Sequence, residues 1–165
     1  MSYSESQTID KITKYAMPIE MLYNKPFINW AGKTNDNNIF YTEILANEII
    51  KNIEKYNSIK PIPRNNSYKI NDHNKIMIDF GSNRQEEIFA KRIFNFEFEE
   101  LGRIIDYQVP LKNKRSDKTG KIDLISYNQK VEKLLLIELK YEENSETLLK
   151  AILEIYTYYK TIDIV

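Results

Sequence analysis

The stretch Lys121–Lys140, KIDLISYNQKVEKLLLIELK, constrains the fold of this chain more than any other. Two apolar-rich runs flank a polar connection at Asn128–Lys133, which predicts a hairpin with strands over Lys121–Tyr127 and Leu134–Lys140. If Tyr127 faces Leu134, the antiparallel register sets Asp123 opposite Glu138. Side chains alternate along a strand, so Glu138 and Lys140 share one face and Leu139 takes the other. Two carboxylates and an amine crowded on one face need a reason. A hard divalent cation supplies one, because Mg²⁺ binds one or two carboxylates and completes its shell with water and phosphate oxygens.

Asp123, fourteen further residues and then Glu138-Leu139-Lys140 form a pattern that resembles the PD-(D/E)XK nuclease superfamily, with Ile122 where that family usually has proline. The resemblance covers roughly residues 82–160. It implies an α/β domain with a restriction-endonuclease-like αβββαβ core, a mixed sheet flanked by helices. The last core strand is expected to be short, within Thr161–Val165, or missing. It also implies a site in which Asp123 and Glu138 hold Mg²⁺, or Mn²⁺, with the backbone carbonyl of Leu139 and the carboxylate of Glu86. Lys140 would position or deprotonate the attacking water. The implied activity is metal-dependent hydrolysis of phosphodiester bonds in nucleic acid, DNA above RNA. A catalytically silent module of the same fold, binding nucleic acid or a protein, is the alternative.

The flanking segments supply the other expected parts. Ser82-Asn83-Arg84-Gln85 has the spacing of a capping box, and predicts a helix running to about Phe96 with Phe89, Ala90, Ile93 and Phe96 turned inward. Glu86 falls on that stripe and Glu87 points away from it, toward solvent. A buried carboxylate without a partner is costly, so Glu86 either reaches the cluster or is a first-turn glutamate favoured by the helix dipole. Arg103–Leu111 predicts the strand before the hairpin, with Gln108 near its end as an accessory residue. Between these strands lies LKNKRSDKTGK, whose Lys112, Lys114, Arg115, Lys118 and Lys121 face a single Asp117 and suit a phosphate backbone. After Lys140, Ser145 and Glu146 predict the start of a second helix with Leu149, Ile152, Leu153, Tyr156 and Tyr159 on its apolar side. Glu154 and Tyr158 occupy the place of the Gln-x-x-x-Tyr motif of RecB-like members, with Glu for Gln, and are possible accessory residues.

Residues 1–80 are expected to form a helical extension packed on a core of residues 81–165. Lys11–Tyr23 predicts a short helix broken at Pro18. Ile44, Leu45, Ile49, Ile53 and Tyr56 recur at helical spacing and predict an amphipathic helix over Tyr41–Tyr56, ended by Pro61 and Pro63. Ile76–Phe80 is a candidate strand, and His73 reads as a surface residue in a polar loop. Lys and Arg number 24 against 24 Asp and Glu, a balance that disfavours a protein whose whole surface coats nucleic acid. The absence of cysteine excludes disulfides and thiolate metal sites. No apolar run is long enough to span a membrane and no signal-peptide core is visible, so a soluble cytoplasmic protein is the default expectation. The oligomeric state is open, a dimer included.

Overall fold

The structure is a computed structural model and describes residues 2–62, 81–111, 120–142 and 144–162. It is a mixed α/β protein with a four-stranded antiparallel sheet among the described residues. The chain divides into two compact units, one of Met1–Lys60 with Ser145–Lys160 and one of Pro61–Asn144 with Thr161–Val165. The C-terminal helix therefore groups with the N-terminal residues, whereas the sequence boundary was expected near residue 80 with that helix on the core.

In the first unit, helix α1 (Glu5–Tyr15) opens on a closed capping box. The Ser4 hydroxyl accepts from the Gln7 N–H and the Gln7 side chain accepts from the Ser4 N–H, which satisfies two amides that a helix start leaves free. After Pro18 the chain continues in 3₁₀ turns over Ile19–Asn24 and Pro26–Asn29. The expected single helix over Tyr41–Tyr56 is two, α2 (Tyr41–Lys51) and α3 (Ile53–Asn57), separated by Asn52. The Asn52 side chain donates to the Glu48 carbonyl, a local bond that competes with helix continuation. Ile44, Leu45, Ile49 and Tyr56 are buried as the period requires, but Ile53, just past the break, is exposed.

The second unit begins with α4 (Gln85–Ile93). No capping box forms there. The helix starts at Gln85, with Arg84 as N-cap, so Ser82 lies too far upstream and its hydroxyl accepts from the Arg84 N–H. The helix also stops at Ile93 and its phase differs from expectation: Ile88 and Ala90 are buried while Phe89 and Phe96 are exposed.

Strands β1 (Glu97–Phe98), β2 (Gly102–Pro110), β3 (Lys121–Asn128) and β4 (Lys133–Ile137) pair in chain order, each antiparallel to the next. The expected mixed sheet is thus antiparallel throughout the described residues, as short connections between sequential strands require. The tail after Ile162, where a last strand was expected, lies outside the described residues, as do Ile76–Phe80 and His73. Tyr127 pairs with Leu134, the register anticipated for the hairpin, but pairing stops at Leu124–Ile137, so Glu138–Lys140 run past the end of β4. Ala90 of α4 packs with Ile104, Tyr107 and Leu124, and Ile93, Phe94, Ile137 and Leu139 close the cluster. That core pins α4 against β2 and β3 and fixes where its first turn points.

Helix α5 (Leu148–Thr161) begins at Leu148, not at Ser145. The Thr147 hydroxyl accepts from the Lys150 N–H and serves as its cap. Ala151, Leu153, Thr157 and Tyr158 are buried, whereas Ile152 and Tyr159, expected on the apolar side, are exposed.

Candidate active site

The chemistry-bearing groups of the second unit gather around a cleft of ≈ 380 Å³ lined by Glu86, Glu87, Gln108, Lys121, Asp123 and Asn144, among others. Asp123 is its most constrained residue. Only 7% exposed, its carboxylate accepts 2.8 Å from Gln108 Nε2 and 2.9 Å from the backbone N–H of Leu139. These bonds follow from the register: Gln108 lies across from Asp123 in the β2–β3 ladder, and the chain leaving β4 brings the Leu139 amide to the other oxygen. Burial raises the Asp123 carboxyl above the ordinary aspartate value. The Leu139 and Gln108 bonds oppose the rise, the Glu86 carboxylate adds to it and the Lys140 ammonium reduces it. Crowding by a second carboxylate was expected from Glu138; the carboxylate that raises Asp123 is Glu86.

Gln108 is as buried as Asp123 and occupies a left-handed backbone conformation, φ 51°, a strained one for a residue with a side chain. Its amide nitrogen is spent on Asp123, and its oxygen is buried with no hydrogen-bond partner among the described residues. Such an orphan acceptor costs stability unless a ligand or water uses it.

Glu86 and Glu87 both line the cleft, at the start of α4 where the helix dipole favours negative charge. Glu86 Oε1 accepts from the Tyr141 N–H at 3.3 Å and from the Asn144 side chain at 2.9 Å, which ties the helix to the segment after β4. The expectation that Glu87 is merely solvated is corrected. It pairs with Lys91 at 2.8 Å, Arg84 at 3.4 Å and Lys121 at 4.0 Å. The Lys91 hydrogen bond, with the charges of Lys91 and Lys121, holds its carboxyl below the ordinary value. The Glu87–Lys91 pair was legible as an i, i+4 spacing. No local signal pointed to Asn144.

Glu138 and Lys140 are not on the cleft lining. Glu138 Oε1 holds the Lys140 ammonium at 2.7 Å, and the carboxylate side chain is largely buried. Leu139 meets Asp123 through its amide N–H, and its side chain packs on the Ala90–Leu124 cluster. Among the described residues no three Asp, Glu, His or Cys side chains converge as a ready metal cage. Lys121 stands at the cleft, half exposed and shared with Glu87. Of the basic stretch, Lys112, Lys114, Arg115 and Lys118 lie outside the described residues, although the Leu111 N–H bond to the Gly120 carbonyl ties together the strand ends from which that stretch departs. Glu154 and Tyr158 belong to the other unit. There the Tyr158 hydroxyl donates to Glu154 at 2.7 Å, and burial together with that carboxylate raises the phenol far above its usual value.

The arrangement presents oxygen donors, namely the carboxylates of Glu86, Glu87 and Asp123 in the cleft and an unused amide oxygen, beside a cation. Protein-family models, characterised proteins and solved structures return no match to this chain.

Proposed function

We propose that the protein is a metal-dependent nuclease of the PD-(D/E)XK type, hydrolysing phosphodiester bonds in nucleic acid, DNA above RNA, with the restriction-endonuclease-like core as its fold. The observation that carries the reading is Asp123. A buried carboxylate, held by Gln108 and by the Leu139 amide in a cleft, sits in the hairpin register that brings the Glu138–Lys140 segment alongside it.

The donor set fits a hard divalent cation. It is all oxygen, Mg²⁺ needs no more than one or two protein carboxylates, and the Gln108 amide oxygen is a buried acceptor in want of a partner. Asp123 and Glu86, with Glu138 after release from Lys140, are the residues to hold such an ion. When bound, the ion lowers the pKa of its water and offsets charge on the phosphoryl oxygens. The protein's own groups do the rest. Gln108 and the Leu139 N–H fix the Asp123 carboxylate in one orientation. Lys140, freed from Glu138, supplies an ammonium to orient water or steady phosphoryl charge. Lys121 offers a cation at the mouth of the cleft for a substrate phosphate.

The test is cleavage of labelled single- and double-stranded DNA and RNA with Mg²⁺ or Mn²⁺. The expected outcome is cleavage that EDTA stops, that Asp123→Ala abolishes, and that Lys140→Ala slows by at least about 100-fold while sparing Mg²⁺ affinity. Persistence of cleavage in EDTA, or a Lys140→Ala enzyme as fast as the parent, would sink this mechanism.

The Glu138–Lys140 pair favours a second reading. The two groups neutralise each other away from the cleft lining, as suits a silent module of the same fold that binds without cleaving. Calorimetry separates the two: the nuclease binds Mg²⁺ and the silent module gives no heat.

A further inference from the structure

The first unit carries a surface that the cleavage reading does not use. Two clefts, of ≈ 250 and ≈ 450 Å³, adjoin through Lys11 and Tyr15, which line both. Trp30 lines the smaller cleft, and Tyr3 and Lys14 the larger. The Trp30 ring is locked in place. Tyr3 stacks on it at 4.1 Å and 8°, and Tyr41 and Phe27 meet it edge-on. Tyr15, at the end of α1, is 45% exposed. Lysines stand over these rings: Lys11 lies 5.4 Å from the Tyr15 centroid and 6.0 Å from that of Tyr3, and Lys14 lies 5.4 Å from Tyr15. Lys25 adds a second ammonium to the smaller cleft, beside that of Lys11.

From this juxtaposition we infer that the α1 surface binds single-stranded nucleic acid, with bases stacking on Tyr15 and beside Trp30 and phosphates meeting Lys11, Lys14 and Lys25. The combination selects the ligand. Planar rings give little to a polyanion without bases, and ammonium groups gain far more from a phosphate than from an uncharged aromatic. A strand of nucleic acid uses both, by stacking and by charge. A cation over an exposed ring is held weakly, so the lysines are available to move onto phosphates. An anionic bilayer also favours lysine beside tyrosine and tryptophan, but Gln7, Asp10 and Thr13 line the larger cleft and would lose their water on insertion. Binding here is independent of the cleavage reading, since its residues lie in the other compact unit and the assay excludes divalent ions.

Fluorescence anisotropy of a short labelled oligothymidylate with the full chain in EDTA tests it. The parent should bind with a steep salt dependence. Tyr15→Ala should weaken binding roughly tenfold and leave the salt slope unchanged, and Tyr15→Phe should keep the parent affinity, because stacking needs the ring and not the hydroxyl. Lys11→Ala should lower the slope of log affinity against log salt by about 0.7. Failure of the parent to bind, equal affinity in Tyr15→Ala, or equal loss in Tyr15→Phe would overturn the assignment. Stronger uptake by phosphatidylserine vesicles than by the oligonucleotide would overturn it in favour of a membrane. A protein that binds the strand but never cleaves loses its nuclease assignment and retains this one.

Discussion

Asp123 shows how one side chain couples stability to chemistry. Its folded-state pKa is raised, with burial the leading cause, so folding favours the protonated acid. That stabilisation is fully present below the unfolded aspartate value, about 3.9, and is lost as pH rises through the higher folded value. Asp123→Asn should therefore melt at a higher temperature than the parent at neutral pH, and should lack this component of the pH dependence. The new amide group needs an acceptor, and the orphan Gln108 oxygen supplies one if that amide turns over. Thermal melts of both proteins across the acid range check this; a variant less stable than the parent at neutral pH would show that the Gln108 and Leu139 bonds outweigh the burial of charge. The same raised value means that a proton competes with any cation at Asp123. Mg²⁺ affinity should rise with pH through the Asp123 titration and then level off, as calorimetry in buffers of different ionisation heat would reveal.

Among the elements, the β2–β3 pair positions the site, and Gly102 opens β2 one residue before that pairing begins at Arg103. The φ of Gly102 is +75°, and a Cβ there would lie 2.2 Å from the Tyr127 carbonyl oxygen. Backbone cannot retreat as a flexible side chain can, so Gly102→Ala combines left-handed strain with overpacking. A loss of about 2–4 kcal/mol is expected in urea denaturation. A loss below about 1 kcal/mol would mean that the strand end relaxes easily. Helix starts teach a related lesson. Ser4–Gln7 and Ser82–Gln85 share the same S-x-x-Q spacing, yet the first closes a capping box and the second does not. At the second, the helix begins three residues after the serine, so the Ser82 hydroxyl meets the Arg84 N–H and not an amide inside the helix. With Ala90 packed on Leu124, Phe89 is turned outward and both Glu86 and Glu87 lie on the cleft.

For the molecule as a whole, the division into two units groups residues distant in the chain: Ser145–Lys160, with α5, joins Met1–Lys60. Tyr158 is central to that unit, buried, edge-on to Tyr23 at 5.7 Å and bonded to Glu154. Tyr158→Ala should cost about 3–5 kcal/mol, as other large-to-small aromatic truncations do. Native-state hydrogen exchange should then show protection falling further in α1 and α2 than in β2 and β3. The opposite order would mean that Tyr158 stabilises the sheet and not the N-terminal unit.

What the sequence determined by itself is local and periodic. The hairpin over β3 and β4, the Tyr127–Leu134 register and the buried stripe of α2 follow from spacings of two and of three to four residues, which side-chain direction along a strand or helix dictates. The strand carrying Gln108 was legible for the same reason. Tertiary structure decided the rest, because it depends on contacts between residues far apart in the chain. It brought Lys121 to Glu87, and left Glu138 and Lys140 off the cleft lining. It brought Asn144 to Glu86 across 58 positions, and placed Glu154 and Tyr158 in a different unit from Asp123. A charge pattern shows which groups need partners. Where each finds one depends on which helix packs over which strand, and here Ala90 of α4 packs against Leu124 of β3.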